Sequence, residues 1–163
     1  GYSISMSTHS IDGVAKDLLE AWQINCRLNP FMIAAISAEA WADKAAKGKA
    51  VGAHFTHIHN VRLMWIKSAA PDLHAALTKL EGDEDQKTVL ASLKASDAAM
   101  DTLILRGLET GKIKGFKPHT AGFVGYCISH ETYHRAQAEL ALRLCGHALD
   151  DRTSYGLWEW GVR

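Results

Sequence analysis

The stretch FVGYCISHETYHRAQAELA, residues 123–141, has the spacing of an amphipathic α-helix. Positions three or four apart lie on one face of a helix, and here that face carries Phe123, Cys127, His130, His134, Gln137 and Ala141. Pro118 suits the first turn of such a helix, and Gly146 suits its C-terminal end. The pattern therefore predicts one long helix from Pro118 to Gly146.

Three further helices are predicted on the N-terminal side of this stretch. The first spans residues 10–36, with Ser10 as its N-cap and a kink at Pro30. The second spans about residues 52–69, and the third runs from residues 83–85 to a glycine at position 111. No segment shows the two-residue alternation of a strand. We therefore predict an all-α four-helix bundle.

Length and composition are those of a single globular domain. The chain has 163 residues, of which 47% are hydrophobic and 22% charged. We assign residues 1–163 to one domain, with residues 1–9 as an N-terminal leader. Residues 148–163 form an aromatic tail, and we expect its tyrosine and tryptophans to pack on the bundle. The connection at residues 71–83 is long enough for a crossover that leaves the second and third helices parallel.

Charge and hydropathy exclude several classes of partner. Lys plus Arg and Asp plus Glu both number 18, so no net positive charge favours nucleic acid. No apolar run is long enough to cross a membrane, and the first ten residues show no signal-peptide pattern, so we expect a cytoplasmic protein. Cys26, Cys127 and Cys145 form no pair motif, and we interpret all three as small buried residues.

The histidines are the main functional signal. His130 and His134 are four residues apart, so both imidazoles of one helix face reach a single cation. In the second predicted helix, a wheel places one set of residues on a face that we interpret as directed inward: His54, His57, Ile58, Val61, Met64 and Trp65. A third imidazole from this face would complete a three-histidine metal site. The alternative is a set of hydrogen-bonded core histidines.

The run HETYH at residues 130–134 also fits the zinc-peptidase pattern HExxH, in which Glu131 would be the general base. The extended metzincin form is absent, because Gln137 and Leu140 stand where glycine and histidine are required. The chain also offers no strand to bind a peptide backbone. A zinc peptidase is therefore the less favoured alternative.

Two runs together resemble a known family: residues 54–65, HFTHIHNVRLMW, and residues 126–137, YCISHETYHRAQ. They are similar to the DinB (DinB/YfiT-like) family of metal-dependent bundle enzymes. Tyr133 and Ala136 depart from the common family form, where histidine and glycine are usual. The resemblance implies an up-down-down-up four-helix bundle, a homodimer, and three histidines that bind one divalent ion, zinc or nickel. These ligands fall on His57, His130 and His134, with His54 as the alternative to His57.

The resemblance also implies a chemistry. Characterised relatives are transferases and isomerases that use a low-molecular-weight thiol, and others are regarded as hydrolases. We therefore expect a metal site that activates a water or such a thiol towards a small-molecule substrate; the alternative is a metal-binding bundle without turnover. Glu131 and Gln137 are candidates for orienting the ligand imidazoles. Glu131 is equally interpreted as a surface partner of Arg135, while Arg62 and Trp65 are candidates for the mouth of the pocket.

Overall fold

The computed structural model describes residues 11–163, and this part of the chain is helical. Four long helices dominate it: α1 (Ile11–Ala34), α2 (Val51–Ala69), α4 (Gln86–Thr110) and α5 (Thr120–Leu144). The shorter elements are α3 (Pro71–His74), α6 (Asp151–Gly156) and two 3₁₀ turns, Ala40–Ala42 and Trp160–Val162. Within the described residues there is no strand, which confirms the all-α prediction. The predicted leader and its Ser10 cap lie outside this part of the chain.

Local signals set the ends of the helices. The Asp85 side chain accepts a hydrogen bond from the Thr88 amide at 2.8 Å, which caps the N-terminus of α4. Gly111 ends the same helix with φ at 84°, a conformation that glycine adopts without strain. His119 caps α5 through its Nδ1 atom, which accepts from the Gly122 amide at 2.9 Å. The predicted helix boundaries are therefore confirmed to within a few residues.

Helix α1 contains Pro30. It is continuous through this residue and ends at Ala34, whereas the prediction ran to residue 36. Leu28 and Met32 are both buried, so packing holds the helix on each side of the proline. Tertiary packing here outweighs the single backbone hydrogen bond that proline removes.

The interior consists of two apolar clusters. The first includes Met32, Phe55, Ile58, Val89, Leu93, Ala138 and Leu142. The second includes Trp22, Ile66, Met100, Ile104, Phe123 and Cys127. In α1 and α5, the N-terminal part of the helix lies in the second cluster and the C-terminal part in the first. In α2 and α4 this order is reversed. Helix α2 contacts α4 and α5, and α1 contacts the same two helices.

Along each long helix, buried polar residues fall between the positions that build the two clusters. This polar layer comprises Asn25, Asn29, Arg62, Ser96, Glu131 and Arg135. The Glu131 carboxylate accepts hydrogen bonds from Arg62 at 2.7 and 2.8 Å and from the amides of Asn25 and Asn29 at 3.1 Å. Arg62 also pairs with Asp97 at 2.6 Å. The buried charges of Arg62 and Glu131 are thereby paired, which their burial requires.

The polar layer overturns one sequence interpretation. Glu131 is only 1% exposed and Arg135 is buried beside it, so the two residues are not a surface salt bridge. The Arg135 guanidinium instead donates to the side-chain oxygens of Asn25 and Asn29, at 2.8 and 2.9 Å. The two asparagines lie between opposite charges, and each donates to Glu131 while accepting from Arg135.

The buried face of α2 is also rotated from the predicted one. The buried positions include Phe55, His59, Arg62 and Ile66, whereas Met64 is 54% exposed. Arg62 was not among the residues that the helical wheel placed on the inward face. Burial of its charge is costly, but pairing with Glu131 offsets that cost, so α2 turns its arginine inward.

The C-terminal tail contacts α1. Arg27 donates to the Arg163 carbonyl at 3.0 Å, and the Arg163 guanidinium lies 3.8 Å from the centre of the Phe31 ring. The expected burial of the aromatic side chains is wrong for two of them, because Tyr155 is 71% exposed and Trp158 is 78% exposed. Contacts through Arg163 hold the tail without covering these rings.

Cys26 and Cys127 are buried as expected, but Cys145 is exposed, because it is the residue that caps the C-terminus of α5. Among the described residues, no helix combines the length and apolar character needed to cross a membrane.

Candidate metal centre

Helices α2 and α5 bring three histidines together. One potential ligand atom from each of His57, His130 and His134 lies within 4.8 Å of the other two. The Nε2 atoms of His57 and His130 are 3.4 Å apart. The ring centres of His57 and His134 are 4.4 Å apart, and those of His130 and His134 are 4.7 Å apart. The three residues predicted as ligands therefore form one cluster.

The cluster lies at the edge of the α2–α5 interface. His57 and His130 are half-buried, and only His134 is buried. The inward position expected of these histidines is therefore confirmed for His134 and is wrong for His57 and His130. The buried faces of α2 and α5 centre on Arg62 and Glu131. His57 and His130 lie beside these faces on their helices, where solvent reaches them.

His54 lies beside the cluster but contacts only one member by hydrogen bonding. Its Nδ1 atom is 2.9 Å from Nδ1 of His134. His59 is separate from the site: it is hydrogen-bonded to Ser96 at 3.1 Å and to the Thr78 carbonyl at 2.8 Å. His59 is thus a core histidine whose two ring nitrogens both have hydrogen-bond partners.

The environment keeps the clustered imidazoles neutral. Burial, followed by the charges of the neighbouring histidines, lowers the pKa of His134 to about 3. Burial and the charge of Lys49 lower the pKa of His54 to about 4. Burial also lowers the pKa of His57 and of His130. Neutral imidazole is the form that binds a metal ion, so the cluster is in its ligating state at neutral pH.

The expected orienting residues do not contact the ligands. Glu131 is adjacent to His130 in sequence, but its carboxylate points into the polar layer, where it accepts hydrogen bonds from Arg62 and two asparagines. Burial opposes its ionisation, yet the charge and hydrogen bonds of Arg62 outweigh burial and keep the pKa of Glu131 below its usual value. Gln137 is half-buried near His134 and makes no hydrogen bond to a described histidine.

The two residues suggested for the mouth of the pocket, and also Cys127, lie outside the cluster. Arg62 is fully buried and does not line a pocket mouth. Cys127 belongs to the second apolar cluster, and burial raises the pKa of its thiol. Trp65 packs edge-on against Phe116 and Phe123.

Sequence reasoning missed Tyr126 as a neighbour of the site. Its ring lies nearly parallel to that of His130, with centres 6.4 Å apart. The signal was present, since Tyr126 precedes His130 by four residues on the same helix. Tyr133 similarly meets His134 edge-on at 5.2 Å.

A helical fold with three converging imidazoles defines a class of protein: a helical protein with a candidate site for one metal ion. The chain belongs to the DinB family, because the sequence model of that family matches residues 6–153, nearly the whole chain. Comparison with curated proteins gave no match. Comparison with solved structures gave none either.

Proposed function

We propose that the protein is a metal-dependent enzyme in which His57, His130 and His134 hold one divalent ion, zinc or nickel. The observation that carries the proposal is the convergence of three ligand atoms within 4.8 Å. Imidazole donors suit both metals, and a set of three leaves at least one coordination position open. The depressed histidine pKa values supply the neutral ligands that such binding needs.

We also infer the up-down-down-up bundle topology. It is supported by the order in which the helices contribute to the two apolar clusters: α1 and α5 in one order, α2 and α4 in the other. In this arrangement α2 and α4 are parallel, and the connection of residues 70–85 between them carries α3. The single-domain assignment is supported by the same contacts among the long helices.

The proposed activity is that of a hydrolase or a thiol S-transferase on a small molecule. A divalent ion held here supplies Lewis acidity, which makes a water or a thiol more acidic and so more nucleophilic at neutral pH. The chain contributes the imidazole ligands and, through the partial exposure of His57 and His130, access from solvent. Tyr126 and Tyr133 flank the rings of His130 and His134.

The buried state of Glu131 disfavours a zinc peptidase. The HExxH mechanism requires a carboxylate free to take a proton beside the metal. Here both carboxylate oxygens of Glu131 accept from Arg62, and the residue is almost completely buried. The second candidate is metal binding without turnover. The observation that favours it is that none of the three histidines is hydrogen-bonded to a described carboxylate.

A cytoplasmic homodimer remains part of the proposal. It is supported by family membership and by the exposed apolar side chains Leu144, Tyr155 and Trp158 near the C-terminus. Equal numbers of acidic and basic residues support a small-molecule substrate over a nucleic acid. Sedimentation equilibrium tests the dimer, and a monomer at micromolar concentration would contradict it.

Elemental analysis of the purified protein tests the metal site. We expect one zinc or nickel per chain in the wild type, and less than one tenth of that in His57→Ala, His130→Ala and His134→Ala. His74→Ala is the matched control, since His74 lies in α3 outside the cluster. Full metal retention in His57→Ala would refute the ligand set. Turnover of thiol or ester substrates that requires the metal separates an enzyme from a binding protein.

A further inference from the structure

A cavity of about 240 Å³ lies directly beside the histidine cluster. Its walls are formed by Ala45, Lys47, Gly48, Lys49, His54, Tyr133, His134, Gln137 and Ala141. The residues come from the loop before α2 and from the two helices that carry the histidines. One wall, His134, is shared with the proposed metal site, so the cavity adjoins that site.

The cavity has a one-sided charge. Lys47 and Lys49 are its charged residues, and no described carboxylate lines it. Neither lysine forms an ion pair with another residue of the described chain, so both ammonium groups are available.

Neutral groups add hydrogen-bonding capacity without opposing the lysines. The Gln137 amide lines the cavity and makes no hydrogen bond to another described side chain, so it can donate to a ligand. The loop with Lys47 and Lys49 leads into the N-terminus of α2, whose N-cap, Ala50, offers no side-chain cap. The partial positive charge of a helix N-terminus favours an anion nearby.

We propose that this cavity binds an anionic group of the substrate, a carboxylate or a phosphate, through Lys47 and Lys49. The proposal rests on the proposed function only in treating the bound molecule as substrate for the neighbouring metal site. The cavity is smaller than the roughly 300–1,000 Å³ of sites for drug-sized ligands. It therefore suits a compact acid or the charged end of a longer molecule, whose reactive group lies on the His57 and His130 side of His134.

The first experiment uses the metal-free protein, so it does not depend on metal binding. NMR signals of the His54 and His134 rings are followed during titration with succinate, inorganic phosphate and neutral succinamide at constant ionic strength. We expect saturable shifts with one or both anions and none with succinamide. The tighter of the two anions distinguishes a carboxylate site from a phosphate site. Equal binding of succinamide would overturn the proposal.

Charge variants identify the lysines. In Lys47→Gln/Lys49→Gln we expect anion affinity to fall about tenfold or more, since two close charges are removed. The control is Lys87→Gln/Lys94→Gln, which removes the same charge from exposed positions outside the cavity. We expect it to bind within about twofold of the wild type. An equal loss in both double variants would mean non-specific attraction and would overturn the assignment.

A second experiment separates the two proposals. The nickel-loaded protein is titrated with 3-mercaptopropionate and with neutral 2-mercaptoethanol, and thiol binding is followed by its absorption band. We expect about tenfold preference for the anionic thiol, lost in Lys47→Gln/Lys49→Gln. Anion binding to the metal-free protein with no nickel uptake would leave the anion site standing and refute the proposed function. Thiol binding to the nickel-loaded protein without a preference for the acid would refute the anion site and leave the proposed function standing.

Discussion

The Nδ1 atoms of His54 and His134 lie 2.9 Å apart, within hydrogen-bonding distance. Between two neutral imidazoles, one nitrogen of such a pair carries the hydrogen and the other accepts it. This contact occupies Nδ1 of His134 and leaves its Nε2 for a cation. In the proposed metal site, His54, the alternative ligand in the sequence, would instead orient His134, the role that had been expected of Glu131 or Gln137.

Removing His54 should weaken metal binding without abolishing it. We expect His54→Ala to lower metal affinity about 10–100-fold, the usual effect of losing a partner that orients a ligand. His130→Ala should lose binding completely under the same conditions. Competition with a chromophoric chelator measures both affinities. If His54 were itself the α2 ligand, His54→Ala would lose the ion while His57→Ala kept it.

Removing the charge of Glu131 should destabilise the fold. In Glu131→Gln the Arg62 guanidinium keeps its burial but loses its main counter-charge, and breaking such a pair costs ~3–5 kcal/mol. Urea denaturation followed by circular dichroism measures the free energy of unfolding. Glu109→Gln, on the exposed side of α4, should change it by less than ~0.5 kcal/mol.

The same Glu131 variant separates a structural role from a catalytic one. Folded Glu131→Gln should bind the same amount of metal per chain as the wild type, because Glu131 contacts none of the ligands. Unchanged stability together with lost activity would place Glu131 at the reacting centre and restore the peptidase hypothesis.

Stability of the metal-free protein should fall in mild acid. The folded protein keeps His54 and His134 neutral, with pKa values of about 4 and 3, while the unfolded chain takes up protons at about pH 6.5. Below pH 6.5 the unfolded state therefore binds more protons, and the free energy of unfolding decreases as the pH falls towards 4. Urea midpoints at pH 7.5 and 5.0 measure this difference.

Two variants check that pH prediction. His134→Gln removes one of the two groups, so its midpoint should fall less between pH 7.5 and 5.0. His147 has the opposite effect on the free energy of unfolding. Its hydrogen bond to Asp43 raises its pKa, so its protonation favours the folded state in acid. His147→Gln should therefore steepen the fall. A wild-type midpoint that does not change over this range would contradict the assignment.

Only one of the three thiols should react in the native protein. Cys145 is exposed, whereas Cys26 and Cys127 are buried and burial raises the pKa of each thiol. Ellman's reagent should label one thiol per folded chain and three in urea. Cys145→Ser should abolish the native reaction; rapid labelling of that variant would show that the core opens.

Much of the fold followed from local sequence signals. The Asp85 cap, the Gly111 stop and Pro71 act on their own turns of helix, so the boundaries of α2 and α4 were predicted to within about three residues. The spacing of His130 and His134 is likewise a property of one helix. Helix α1 continues through Pro30, where buried neighbours on both sides offset the local cost of proline.

The sequence by itself determined the helices, their ends and the histidine pair of α5, since each depends on residues within a few positions of one another. Only the tertiary structure decided which face of α2 is buried, because burying Arg62 is favourable only with Glu131 of α5 against it. That rotation in turn placed His57 in the cluster and His54 against His134. A charge pair between residues 69 positions apart has no local signature, so helix periodicity could not reveal it.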